Sequence, residues 1–309
     1  MKKRKAIKRR NIKRLRIGVL MGGISAERKI SLITGRAIYK ELKKNGHRVT
    51  AIDLNSRSIR KIIKAGPDVV INALHGTYGE DGVIQSVLEF LKIPYSGSGP
   101  LASALCMDKV KTKEILEYYK IPTPPWKVVE SEKEAKKVKL PAVFKPQSQG
   151  SAVGVYIVKT GKEAAAAYRK AARFGKKVLA EKYIKGTEIT VPILNSKPLP
   201  IIEIVPKNEF YDYDAKYTKG KSVHIIPARI SSKAYRKAGK TGAAVHKALG
   251  CEVYSRVDMI VRGSSVYVLE TNTLPGMTPV SLFPEAAKAA GLSFYELILI
   301  FVNQALRRR

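Results

Sequence analysis

Three oxygen-bearing side chains near the end of the chain stand where charge is costly. Glu270 and Asn272 lie two residues apart at the end of the apolar run SVYVLETN, so a strand there carries both on one face. Asp258 sits in a neighbouring apolar run, VDMIV, with Arg256 two positions before it. Charges on apolar strands cost free energy unless they are paired. Three hard oxygen donors with no nitrogen or sulfur suit Mg²⁺ and not zinc. One polar residue at a strand end is ordinary; this set, beside an arginine, reads as a metal site.

Two further segments could handle phosphate and nucleotide. In VFKPQSQGSAVGV (143–155) Lys145 ends a strand and a Gly/Ser loop follows. Backbone N–H groups of such a loop can cradle phosphate oxygens while the lysine supplies charge. It is not a GxxxxGK[ST] loop, and the early MGGIS is not a GxGxxG fingerprint, which argues against a dinucleotide oxidoreductase. LAEKYIKGTEITV (179–191) places Glu181, Lys182 and Glu188 around a short connection between apolar strands. Backbone groups of such a hinge can bind adenine, and a carboxylate can take ribose hydroxyls. The four histidines show no HExxH-like spacing, and two cysteines, Cys106 and Cys251, exclude a disulfide scaffold or a four-cysteine zinc site.

The elements that must position these residues follow from the pattern. LRIGVL (15–20), VTAIDL (49–54) and DVVINAL (68–74) read as strands separated by helices, which predicts a doubly wound parallel sheet. The helix through Ala37, Ile38 and Leu42 stops at Asn45-Gly46. HGTYGEDG (75–82) follows the third strand, where such sheets place ligands. A single helical stretch, SALCMDKVKTKEILEYY, ends at IPTPPW. Strands are expected at 142–145, 153–158 and 177–182 with a helix near 162–174, then strands at 188–194, 200–205, 252–261 and 265–270. Helices near 282–290 and 293–307 close the chain. Between the strands, NEFYDYDAKYTKGKS (208–222) is polar and Tyr-rich and reads as a mobile loop. Four parts result: a basic tail (1–14), an N-terminal domain (15–101), a central lobe (102–190) and a C-terminal lobe (191–309).

The chain has 309 residues, 45% of them apolar, as in a protein with a packed core. Lys and Arg outnumber Asp and Glu by 58 to 25, a net charge of +33. Ten of the first sixteen residues are basic, with no apolar h-region after them, so this is not a secretory signal. The charge admits nucleic-acid contact by the tail, but aromatics are sparse and no RNA-binding signature is present, so that reading is not favoured. No run is long enough to span a membrane, and the cysteine usage suits the cytoplasm.

In order, GGISAER, HGTYGEDG, YSGSG, MDKVKTK, KPQSQGSAVGV, EKYIKGTE, FYDYDAKY, SRVDMIV and LETNTLPGMTPVSLFP resemble the D-alanine–D-alanine ligases of the ATP-grasp superfamily, from about residue 15 to 306. The resemblance implies an α/β and α+β fold: a Rossmann-like (pre-ATP-grasp) domain, then a two-lobed ATP-grasp domain that clasps ATP. It implies a ligase that joins two D-alanines through an acyl phosphate for peptidoglycan precursor synthesis, in a cytoplasmic homodimer with no membrane span.

The same resemblance assigns roles. Asp258, Glu270 and Asn272 match ligands of two Mg²⁺ ions, for which Mn²⁺ can substitute. Lys109, Lys145 and Lys216 match phosphate-contacting lysines, and Glu181, Lys182, Tyr183, Ile184 and Glu188 match the nucleotide pocket. Glu27, with Ser151 and Tyr217, matches the network on the first substrate's ammonium, with His75 nearby. Arg256 and the Gly276 N–H match the oxyanion stabilisers, and Ser281 and Leu282 match the pocket for the second substrate's carboxylate. The loop at 208–222 would be a water-excluding lid. The chain departs from the family at Arg28 and Lys29, at Gln147 and Gln149, and at Arg229. Rival readings are D-serine or D-lactate as second substrate, or a nucleic-acid-binding protein on a ligase-like scaffold.

Overall fold

The computed structural model of the chain describes residues 12–54, 58–175, 177–206, 222–278 and 281–308. Lys216, Tyr217 and all of the expected lid but Ser222 lie outside the described residues, as do residues 1–11 of the tail.

The first domain alternates strand and helix: β1 (Arg16–Gly22), α1 (Arg28–Lys44), β2 (Arg48–Leu54), α2 (Ser58–Ala65), β3 (Val69–Asn72) and α3 (Val83–Phe90). The strands pair in parallel in the order β2-β1-β3, as the pattern predicts. Period-two alternation splits β1 between two cores. Ile17, Val19 and Met21 face Ile38 and Leu42 of α1, and Leu20 faces Ile62 of α2 and Leu88 of α3.

The central lobe holds α4 (Pro100–Met107), α5 (Lys109–Tyr118), β4 (Trp126–Val129), α6 (Glu132–Ala135), β5 (Ala142–Pro146), β6 (Tyr156–Val158), α7 (Gly161–Ala172) and β7 (Val178–Lys182). Its strands form an antiparallel sheet, β4-β7-β5-β6, with the alanine face of α7 against it. The stretch expected as one helix is two. Asp108 is extended (φ −84°, ψ 101°), and its carboxylate accepts the N–H groups of Val110 and Lys111, so it ends α4 and caps α5. Lys109 is thereby set on the first turn of α5.

The last unit contains β8 (Thr187–Leu194), β9 (Lys197–Pro198), β10 (Ile202–Pro206), β11 (Ser222–Ile225), α8 (Ser232–Ala248), β12 (Tyr254–Arg262), β13 (Ser265–Asn272), α9 (Leu282–Ala289) and α10 (Phe294–Ala305). Its sheet runs β11-β10-β8-β12-β13, with β9 beside β8. Helix α8 is absent from the expected elements. Its buried stripe is Ala234, Ala238, Gly242 and Val245, small residues that leave little hydrophobic signal.

One expected boundary, and the place of the last helix, differ in detail from expectation. β8 runs unbroken through 190–191, and the connection at 183–186 separates the two sheets. Helix α10 packs back onto the first sheet, with Leu297, Ile298, Phe301 and Val302 in one core with Ile17 and Val19. Each such side chain contributes about 1.5–3 kcal/mol, so the C-terminus stabilises the N-terminal domain. Cys106 and Cys251 are buried and form no disulfide; their thiols share a hydrogen bond, with sulfurs 3.6 Å apart.

Candidate active site

One face of the six-stranded sheet is apolar core and the other carries the polar groups. Ile189, Val191, Val257, Met259, Val266 and Val268 pack in the core beneath α8. By alternation Glu188, Thr190, Arg256 and Asp258 take the opposite face. In β13 the alternation is corrected by a bulge. Asp258 pairs with Glu270 but Met259 pairs with Val268, so Leu269 is the extra residue. The bulge lets buried Val268 and the polar Glu270 point to different sides, although they are two positions apart. Arg256 then stands opposite Asn272. Asp258 is held by a two-pronged ion pair with Arg256 (2.9 and 2.8 Å) and by the Thr190 hydroxyl (2.6 Å).

A first cavity, of about 340 Å³, opens between the first domain and this face. Its wall takes Glu27 and His75 from the first domain and Lys109, Gly150 and Ser151 from the central lobe. The last unit supplies Arg256, Glu270, Asn272, Gly276, Ser281 and Leu282. Ser151 and Ala152 hold left-handed backbone (φ 52° and 58°), and the Ser151 hydroxyl donates to Glu27. Gly76 is also left-handed (φ 66°), and a Cβ there would stand 2.9 Å from the Glu27 carboxylate, so only glycine fits. Lys109 lies 3.7 Å from Glu270 and donates to the Gln149 carbonyl.

Ionisation in this cavity is set by burial. Burial pushes the Glu80 carboxyl up to about 8, aided by nearby Glu27, although the Gly76 N–H donates to it at 2.7 Å. Burial also lowers His75 below the ordinary imidazole range against the pull of Glu27, which keeps its ring neutral at pH 7.

A second cavity, of about 360 Å³, lies between the central and last sheets. Lys145 and Glu181–Ile184 line one side, and Glu188, Asp258 and Glu270 the other, with apolar Val143, Ile260 and Leu269 between. Successive N–H groups at Lys182 and Tyr183 are bonded to the carbonyls of Pro125 and Pro141 (2.8 and 3.0 Å). That of Ile184 has no protein partner among the described residues, which suits it to a base edge. One oxygen of the buried Glu181 receives two ammonium groups, Lys113 at 2.6 Å and Lys145 at 2.7 Å. Burial alone would raise this carboxyl; the two lysines overcome it and hold it below its ordinary value. Burial pushes Lys113 down to about 8 against the pull of Glu181.

Every expected site residue within the described parts lines one or both cavities, and Glu270 borders both. Lys216 and Tyr217 fall outside the described residues. Three side chains were not anticipated: Glu80, Lys113 and His224. The first two lie inside the quoted motifs HGTYGEDG and MDKVKTK, but the burial of Glu80 and the distant partner of Lys113, Glu181, are not visible there. Three of the five departures from the family pattern have a side-chain partner. Arg28 pairs with Asp53 (2.6 Å), the Gln147 amide donates to Asp108 (2.6 Å), and Arg229 pairs with Glu203 (2.8 Å). Lys29 has no such account.

Among the described residues no three His, Cys, Asp or Glu side chains gather around one point. Asp258, Glu270 and Asn272 instead offer two carboxylates and an amide oxygen. That donor set fits Mg²⁺ completed by water and phosphate oxygens, which is how this ion is commonly held.

Known proteins match this chain along most of its length. The family model described as D-ala D-ala ligase C-terminus matches residues 114–303, and that of D-ala D-ala ligase N-terminus matches 55–98. The D-alanine–D-alanine ligase of Geotalea uraniireducens is 48% identical over 93% of this chain and 94% of its own. That of Desulforudis audaxviator is 45% identical over 95% and 99%. A crystal structure of the Bacillus anthracis ligase superposes with a TM-score of 0.85 at 42% identity, covering 95% of this chain and 98% of that one. The same enzyme complexed with ATP gives 0.84 at 39% identity, with the same coverage.

Proposed function

From the premise that the chain belongs to the D-alanine–D-alanine ligase family, we propose how its residues divide the reaction between two cavities. The protein is an ATP-dependent ligase that joins two D-alanines for peptidoglycan synthesis. The observation that carries the finer reading is that Glu270 borders both cavities. It stands where a phosphoryl group would pass from nucleotide to substrate.

ATP occupies the second cavity. Its adenine edge meets the Ile184 N–H, Glu188 takes the ribose hydroxyls, and Lys145 and Lys109 meet the phosphates, with Lys216 from the loop. Glu181 orients Lys145. Asp258, Glu270 and Asn272 would hold Mg²⁺, which neutralises phosphate charge when bound. In the first cavity, Glu27 binds the first D-alanine's ammonium, steadied by Ser151 and Tyr217, with neutral His75 beside it.

The first carboxylate attacks the γ-phosphorus, the bond to the bridging oxygen breaks, and ADP leaves. The second D-alanine's amine then attacks the acyl phosphate carbon. The Arg256 guanidinium and the Gly276 N–H stabilise the oxyanion, and phosphate departs. Ser281 and Leu282 hold the second carboxylate. A Cβ at Gly276 would meet the Ser281 hydroxyl at 3.0 Å, so glycine keeps these two groups close.

The test is positional isotope exchange in ATP labelled at the β,γ-bridge. Scrambling that depends on D-alanine is expected; none, in a preparation that makes dipeptide, contradicts the acyl phosphate. Among the described residues no helix is long and apolar enough to cross a membrane. The cytoplasmic homodimer rests on the family alone, and sedimentation equilibrium tests the dimer.

A further inference from the structure

We propose that Thr34 is a positioning residue for the reaction: its hydroxyl ties the His75 ring of the first domain to the turn that carries the Gly276 N–H in the last unit. This rests on the assignment of His75 to the first D-alanine and of the Gly276 N–H to the oxyanion. Thr34 lies on the buried face of α1, 1% exposed, and does not border the first cavity, whereas His75 and Gly276 do. Its Oγ1 accepts the Met277 N–H at 3.4 Å and stands 3.4 Å from His75 Nε2. Both lengths are at the long end of the hydrogen-bond range, and a hydroxyl this buried needs its partners. The two partners lie 41 and 243 positions away in sequence, so the fold alone brings them to one oxygen.

The inventory of donors decides what the hydroxyl does. Oγ1 accepts from Met277, so its own proton goes to Nε2 of a ring that burial keeps neutral. The ring proton is then on Nδ1. The ring is also bonded to the Leu274 backbone, two residues before Gly276. On the other side of Gly276, the Met277 bond fixes the peptide plane that follows it. Glycine turns more freely than any other residue, so the aim of its N–H depends on such ties. The helix that makes the tie is itself seated firmly. Gly35 lets α1 lie against β1, where a Cβ would stand 2.4 Å from Met21 Cβ. Ser31 accepts the Gly22 N–H and donates to the Ala73 carbonyl, both at 2.8 Å. Glu27 stands at the N-cap of the same helix. One helix thus sets Glu27, His75 and the Gly276 turn relative to one another.

Two substitutions separate the hydroxyl from the packing around it. Thr34→Val keeps the shape and removes the hydroxyl; Thr34→Ser keeps the hydroxyl and removes the methyl. In Thr34→Val, kcat for dipeptide formation is expected to fall about five- to tenfold, a fraction of the loss from deleting an oxyanion donor outright. The KM for the first D-alanine is expected to rise about two- to fivefold and that for ATP to stay within about twofold. Thr34→Ser is expected to stay within about twofold of the parent in every constant. Nitrogen-15 spectra of the histidine rings are expected to show a single His75 tautomer in the parent and in Thr34→Ser, and a mixture in Thr34→Val. Thermal melts check folding. Parental kcat in Thr34→Val overturns the proposal. So does Thr34→Ser as impaired as Thr34→Val, which would mark a packing role for the methyl, or one and the same tautomer in all three proteins. His75→Ala and Arg256→Ala are the controls: if these also leave the rates unchanged, the assignment of the site fails, and not merely the role of Thr34.

Discussion

Asp258 and Glu270 stand directly opposite each other on adjacent strands, two carboxylates sharing one face of the last sheet. Opposed like charges on a ladder are destabilising, and the structure offsets this unequally. Asp258 is tied to Arg256 and Thr190, while Glu270 has Lys109 at 3.7 Å. The pair is better suited to cations and phosphate than to the ligand-free chain, which is the sign of a site kept for chemistry.

Glu270→Gln separates these two effects. Turnover, read as phosphate release, is expected to fall at least about 10²-fold, the scale of losing one electrostatic stabiliser. The ligand-free protein is expected to gain about 0.2–1 kcal/mol in thermal unfolding, as the cross-strand repulsion is relieved. Near-normal turnover would defeat the metal assignment.

Lys113 is wholly buried and touches Glu181, yet it borders neither cavity. Lys113→Met breaks a buried pair and is expected to cost about 3–5 kcal/mol of stability. Because Glu181 then leans on Lys145 alone, ATP binding is expected to weaken more than D-alanine binding. Calorimetric titration with ATP checks this; equal loss for both substrates would make Lys113 purely structural.

Glu80 sets a pH dependence of stability. Its folded pKa, about 8, lies above the ordinary 4.5, so the folded chain holds more protons between those values. Its contribution is therefore full below about pH 4.5 and is lost as pH rises to 8, on the order of 1.4 kcal/mol per unit. Glu80→Gln, whose amide oxygen can still accept the Gly76 N–H, is expected to overtake the parent in stability as pH climbs through that window. Parallel denaturation curves at pH 5 and 8 check it, and a constant difference contradicts it.

The basic tail has a structural limit. Ile12 and Leu15 pack against the core of the first domain, so a deletion of residues 1–14 would remove part of that core. Deleting residues 1–11 is expected to leave turnover within about twofold, in the same phosphate-release assay. A large drop would give the tail a part in the reaction.

The parallel first sheet and the polar face of the last sheet could be read from sequence, because both rest on local alternation. Asp258, Glu270 and Asn272 were readable as a set because charge on apolar strands is conspicuous. Helix α8 was not, since its buried stripe is alanine and glycine and carries little hydrophobic contrast. The split at Asp108 was hidden because a capping aspartate inside a helical stretch looks like any surface charge. Lys113 and His224 escaped because their partners lie 68 and 61 residues away, at Glu181 and Glu285, and Glu80 because its burial is set by the fold around it.

The most direct test of the central claim is phosphate release from ATP and Mg²⁺ with D-alanine, L-alanine, D-serine and D-lactate supplied in turn, with products identified by mass. The account predicts release with D-alanine alone and D-alanyl-D-alanine as the product. No release with D-alanine on folded protein, or a depsipeptide formed with D-lactate in preference to the dipeptide, would contradict it.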